Sequence, residues 1–210
     1  MNSVRERPFI VIGGGGHAKV VASALRLLDQ KVLGFTDPSS DTSLGKEITH
    51  LGDDGVLSNY SPEEVVLTMG IGSTRDMSYR AQLFDEQRAG GFEFPPIAHP
   101  GAFVVSEVNL EEGAQVMAGA IVQAGAELGE NVIVNTNASI DHGCDIHGHV
   151  HVAPGATISG GVTLEEGVHV GTGASVIQGI RIGAGSVVGA GAVVVENVPS
   201  ETTVVGVPAH

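Results

Sequence analysis

His142, His147, His149 and His151 fall close together, and His169 follows eighteen residues after His151. A free imidazole ionises near pH 6.5, so these side chains can take or give a proton at neutral pH. Grouped imidazoles can also ligate a metal. His142 and His147 have suitable local spacing for that, but the position two coils earlier is Ser106, so no metal is expected. A second site sits near the start of the chain. Gly13-Gly14-Gly15-Gly16 follows the apolar run Phe9-Ile10-Val11-Ile12 and precedes a helical stretch. Backbone N–H groups and the helix dipole face an anion at such a turn. Gly13, Gly15 and Ala18 fit the G-x-G-x-x-G/A spacing, and Asp37 lies about twenty residues on, as in dinucleotide sites. His17 follows the glycines, where it either donates to a phosphate or simply opens the helix. Asp37 ends a strand at the carboxyl edge of the sheet, where ligands of parallel sheets bind. It either takes ribose hydroxyls or a base edge, or forms a turn before Pro38. Gly72-Ser73 repeats that strand-end geometry.

Two modules must position these residues. In residues 1–97, Phe9–Ile12, Lys31–Thr36 and Glu64–Gly70 read as strands, and His17–Leu28 and Asp76–Arg88 as helices. That alternation implies a small parallel sheet, an α/β Rossmann-like domain. It is about half the usual Rossmann length, so a nucleoside diphosphate is expected in the cradle in preference to a dinucleotide.

Residues 98–210 follow another rule. From Val104 to Val194 every sixth residue is aliphatic, without a break. Neither a helix nor a flat strand has that period. A short fixed repeat means a coiled sheet with one inward side chain per face. A second small or apolar residue sits two places before each aliphatic, and Cys144 falls in that column. From Gly113 onward Gly or Asn stands three places after it, the residues that tolerate a left-handed corner, with His149 as the exception. Three hexads close a triangle, so residues eighteen apart stack, roughly 4.8 Å per coil. Ile121 and Ile133, apolar in an outward column, are candidates for an interface.

Composition narrows the possibilities. The net charge of −14 argues against a nucleic-acid partner. No apolar run reaches membrane-spanning length and no charged-then-apolar leader opens the chain, so no membrane span is expected. The single cysteine fits a cytoplasmic protein.

Several segments carry a family resemblance. They are Ile10–Val21, Gly34–Asp37, Ile97–Pro100, Asn135–His142, His151–Ala156 and Val205–Ala209. With these the chain resembles the bacterial sugar O- and N-acetyltransferases of the hexapeptide-repeat superfamily. That family includes the sialic acid O-acetyltransferases and the nucleotide-sugar N-acetyltransferases, and the perosamine type is the most similar. The resemblance implies a left-handed coil and acetyl-CoA as co-substrate. It further implies a nucleotide-linked amino sugar as acceptor and a homotrimer with sites between subunits. By the same resemblance His142 is the general base. His151, Thr172, Ala190 and Gly160 contact acetyl-CoA, and Gly15, Gly16, His17, Asp37, Pro38 and Ser73 hold the nucleotide sugar. The family often has an acid directly after the catalytic histidine; here that position is Gly143, so Asp141, Asp145 or a group from another subunit must tune His142. A sialic acid O-acetyltransferase and a non-catalytic sugar-binding scaffold are the alternatives.

Overall fold

The computed structural model describes residues 7–73 and 77–210. Strand β1 (Phe9–Ile12) is fully buried and lies inside a parallel sheet. Beside it run β2 (Val32–Thr36) and β4 (Val66–Met69), and β3 (Thr49–Gly52) pairs with the outer edge of β2. Helix α1 (Gly16–Leu27) covers one face through Ala18, Val21, Ala22 and Leu25. Helix α2 (Ser78–Ala89) covers the other through Leu83 and Phe84. The sequence did not predict β3. It is a short, half-exposed edge strand without apolar alternation, so periodicity has nothing to register there. Asp76, expected to open α2, lies outside the described residues.

From Ile97 onward the chain winds into a left-handed parallel β-helix of two-residue strands. Its faces are sheets of seven, six and four strands. Pairing follows the expected step of eighteen, as in Ile133↔His151 and Ser139↔Thr157. The inward column is almost wholly buried, from Val116 to Val188, and forms one continuous core with the small-residue column. Cys144 is part of that core at 1% exposure; its thiol donates to the Ser159 carbonyl, and burial raises its pKa. The corner column is left-handed from Gly113 to Gly191, with φ +63° at Gly143. His149 adopts φ +59° at the corresponding corner without being glycine or asparagine.

The two modules pack end to face. The seven-stranded face of the coil lies against the carboxyl end of the N-terminal sheet, where Gln115 meets Thr68 and Met69 and His151 meets Ser73, so Gln115, Ile133, His151 and His169 are all buried. Ile133 therefore faces its own chain's N-terminal module, while Ile121 stays exposed beside Phe103 on another face. Helix α2 docks on a corner of the coil. There Phe84 meets the His149 ring edge-on at 5.8 Å, and Asn131 bonds Nδ1 of the same ring at 2.9 Å. Arg88 pairs with Glu112 and Glu130 of the coil. Among the described residues no helix is long and apolar enough to cross a membrane.

Candidate active site

The glycine turn is built for close approach. A Cβ at Gly14 would collide with Phe35 and Thr42 at under 3 Å, whereas Gly15 and Gly16 face open space. Gly15 caps α1 without any side-chain bond, so N–H groups of the first turn remain available. Asp37 braces this turn from below. One carboxylate oxygen accepts from the Gly14 N–H at 2.8 Å and the other from the Ser39 N–H at 2.9 Å. Pro38 is exposed next to it.

Gln115, one turn into the coil, ties this loop to the β-helix. Its Nε2 donates to Thr68 Oγ1 at 3.0 Å and to the Met69 carbonyl at 2.8 Å, which fixes the amide's orientation. Its Oε1 therefore accepts from Nε2 of His17 at 2.8 Å. Buried Arg80 reaches the same oxygen at 3.5 Å and also donates to the Met69 and Ile71 carbonyls. Burial, and then the Arg80 charge, pull the His17 pKa down to about 4. The ring is thus neutral, with its proton on Nε2. Its Nδ1 is left as an acceptor, which does not suit donation to a phosphate.

Between the modules runs a cleft of about 700 Å³. Gly16, His17 and Ser73 form one wall; His151, Thr172 and Ala190 form the other. Six of the residues singled out in sequence thus meet in one cavity. Asn135 and His169 join them there. His151 and His169 lie edge to face, 5.0 Å between ring centroids, and both bond the Ser73 hydroxyl. Burial is the main cause that pulls His151 down to about 3, helped by His169, His17 and Arg80; burial also lowers His169.

Known proteins share this architecture. Residues 8–86 match the PglD N-terminal domain model. The acetyltransferase domain of PglB from Neisseria gonorrhoeae is 38% identical over 98% of this chain and 99% of its own, with a TM-score of 0.92. PerB from Caulobacter crescentus, solved with CoA and GDP-perosamine, is 36% identical over 98% of this chain and 97% of its own, with a TM-score of 0.90. The chain belongs to the hexapeptide-repeat sugar acetyltransferases. WeeI from Acinetobacter baumannii, 24% identical over 97% of this chain and 99% of its own, shares the fold with a TM-score of 0.85. No curated protein matches by sequence alone.

Within this acetyltransferase, five expected site residues do not line the cleft: Gly15, Asp37 and Pro38 lie at or beside the glycine turn, and His142 and Gly160 stand apart on the coil. His142 is exposed on a different edge of the coil, at the corner between the six- and four-stranded faces. Gly160 lies against it, where a Cβ would come within 2.5 Å of its ring. The expected tuning carboxylates are occupied elsewhere: Asp141 accepts from the His142 backbone N–H at 2.7 Å, and Asp145 pairs with His147. Among the described residues the His142 ring has no hydrogen-bond partner. His147, His149 and His151 do not converge either: they sit respectively at an exposed corner, under α2 and in the cleft.

Sequence reasoning missed Gln115 and Arg80. A signal for Gln115 was present. The outward column on the seven-stranded face reads Ile97, Gln115, Ile133, His151, His169, Val187, with no charged group at neutral pH, whereas the four-stranded face reads Glu127, Asp145, Thr163, Arg181. An eighteen-residue comparison marks the covered face. Arg80 carries no such mark, being one of several charged residues on α2.

Proposed function

We propose that this protein transfers the acetyl group of acetyl-CoA to the 4-amino group of a nucleotide-linked 4-amino-4,6-dideoxy sugar. The observation that carries this reading is the shared cleft, in which the glycine turn of one module faces His151, Thr172 and Ala190 of the other. Supporting it, PerB was solved with CoA and GDP-perosamine, and the PglB acetyltransferase domain with acetyl-CoA. In this reading Gly15, Gly16, His17 and Ser73 hold the nucleotide sugar. Asp37 and Pro38 shape that side, His151, Thr172 and Ala190 hold acetyl-CoA, and Gly160, beside His142, contacts the acetyl-CoA of the neighbour that His142 serves.

His142 acts as general base. A sugar ammonium must lose a proton before its nitrogen can attack the thioester carbonyl, and an imidazole can accept it near neutral pH. Transfer is direct, with the thiolate of CoA leaving. Because His142 is remote from its own chain's cleft, it serves the cleft of a neighbour in a homotrimer, and the neighbour completes its tuning. The enzyme works in the cytoplasm. A thiol-release assay with acetyl-CoA tests the reading against GDP-perosamine, a UDP-linked 4-amino sugar and sialic acid. Release with a nucleotide-linked amino sugar supports it. Release with sialic acid alone makes the protein an O-acetyltransferase, and release with none makes it a scaffold.

A further inference from the structure

The hydrogen-bond polarity of the cleft histidines is fixed by one backbone amide. The Thr136 N–H donates to Oδ1 of Asn135 at 2.8 Å, which identifies that atom as the oxygen. Asn135 must then present its NH2 to Nε2 of His151, 3.0 Å away. A neutral imidazole that accepts at Nε2 carries its proton on Nδ1. His151 therefore donates from Nδ1 to the Ser73 oxygen at 3.1 Å. Ser73 has one proton to give, and the acceptor within reach is Nδ1 of His169 at 3.3 Å. His169 accepts at Nδ1, so its own proton sits on Nε2. That N–H has no partner among the described residues, although His169 is only 6% exposed and lines the cleft.

We infer that His169 Nε2–H is a built donor to a carbonyl oxygen of the acyl-pantetheine arm, with Asn135, His151 and Ser73 as the positioning relay behind it. The class of ligand follows from the surroundings. The donor is neutral and desolvated, so it suits an uncharged acceptor better than a phosphate. The wall beyond it is largely apolar: Val187, Val188 and Val205 continue the cleft. An isolated donor on an aliphatic wall matches a chain in which carbonyls are spaced by methylenes. Its strand also leads directly into Gly171 and Thr172, the wall on which acetyl-CoA is placed above. Both His151 nitrogens are already used inside the relay, so that ring meets acetyl-CoA by packing alone and His169 is the ring left to donate a hydrogen bond to it. This identification of the ligand rests on the acetyl-CoA reading; the relay itself does not.

The test separates the two. Long-range 1H–15N spectra of the 15N-labelled protein at neutral pH report each ring's tautomer without any ligand. The expected result is His151 as the Nδ1–H form and His169 as the Nε2–H form. In Ser73→Ala the His169 ring loses its proton donor and the Nδ1–H form becomes populated. Calorimetry then compares acetyl-CoA with adenosine 3′,5′-bisphosphate, which lacks the pantetheine arm. His169→Phe and Ser73→Ala should weaken acetyl-CoA about three- to tenfold, the worth of one hydrogen bond, and leave the bisphosphate unchanged. A His169 ring found as Nδ1–H in the wild type overturns the relay. Wild-type acetyl-CoA affinity in His169→Phe overturns the ligand contact while the acetyl-CoA reading stands. A wild-type protein that binds no acetyl-CoA overturns that reading, and the ligand contact with it.

Discussion

Acid should open this protein at the junction between its two modules. His17 and His151 are held neutral, with pKa values near 4 and 3 against 6.5 for a free imidazole. Between those values the unfolded chain binds protons that the folded chain refuses. Stability therefore rises with pH through this window; it is fully present above pH 6.5 and is lost as pH falls towards 4. Going from pH 7 to pH 4.5, each ring costs about 2.5 kcal/mol, and the pair about 5 kcal/mol if they titrate independently. His169, also lowered by burial, acts in the same direction. A loss of about 5 kcal/mol is a large share of an ordinary domain's stability. Urea titrations followed by circular dichroism from pH 7 to pH 4.5 measure it. Replacing both rings by Gln should lower stability at pH 7 but flatten the profile between pH 6 and 4.5 by up to two protons, or about 2.7 kcal/mol per pH unit. An equally steep profile in the double variant would show that other groups drive acid unfolding and that these rings are not held neutral.

Three further outcomes follow from the geometry. His142→Ala should lower kcat by about a hundredfold or more while acetyl-CoA still binds, as measured by thiol release and calorimetry; near-normal turnover removes His142 as the base. Gln115→Leu leaves the Met69 carbonyl and the His17 N–H without their partner, at about 2–4 kcal/mol in urea denaturation. The same variant should raise KM for the nucleotide sugar more than for acetyl-CoA, since it frees the glycine-turn side of the cleft; equal effects on both would contradict that placement. Ile158→Ala empties one inward position of the coil and should cost about 2–5 kcal/mol, seen as a lower urea midpoint with cleft ligands still bound.

The coil was legible in the chain because each column of the hexad obeys a single steric rule. Inward positions admit only aliphatics and corners only residues at ease with positive φ, so Gly143 and Cys144 could be assigned structural places before any geometry was known. The edge strand Thr49–Gly52 was not legible, because half-exposed edges place little demand on sequence. The junction was partly legible. Gly16, His17, Ser73, His151, Thr172 and Ala190 were identified one by one, but nothing local says that they meet; that depends on which of three faces the N-terminal module covers. His149 broke its column for a reason visible only in three dimensions. Its ring is wedged against Phe84 of α2 and held by Asn131, so the left-handed backbone is kept for the sake of docking. Ile133 was misread for the same cause, its apolar character serving an intrachain contact.

The eighteen-residue register also makes the cleft a ruler. His151, His169 and Val187 stand on successive rungs, and so do Thr172 and Ala190 one corner further on. Their heights can differ only in whole steps of about 4.8 Å. Variation within such an enzyme is therefore quantised. Insertion of a complete coil would lengthen the track by one step and leave every corner and core contact repeated, whereas insertion of one or two residues would turn the inward column outward. An acceptor or acyl chain of different length is most readily accommodated by counting rungs, with the glycine turn as the fixed end of the scale.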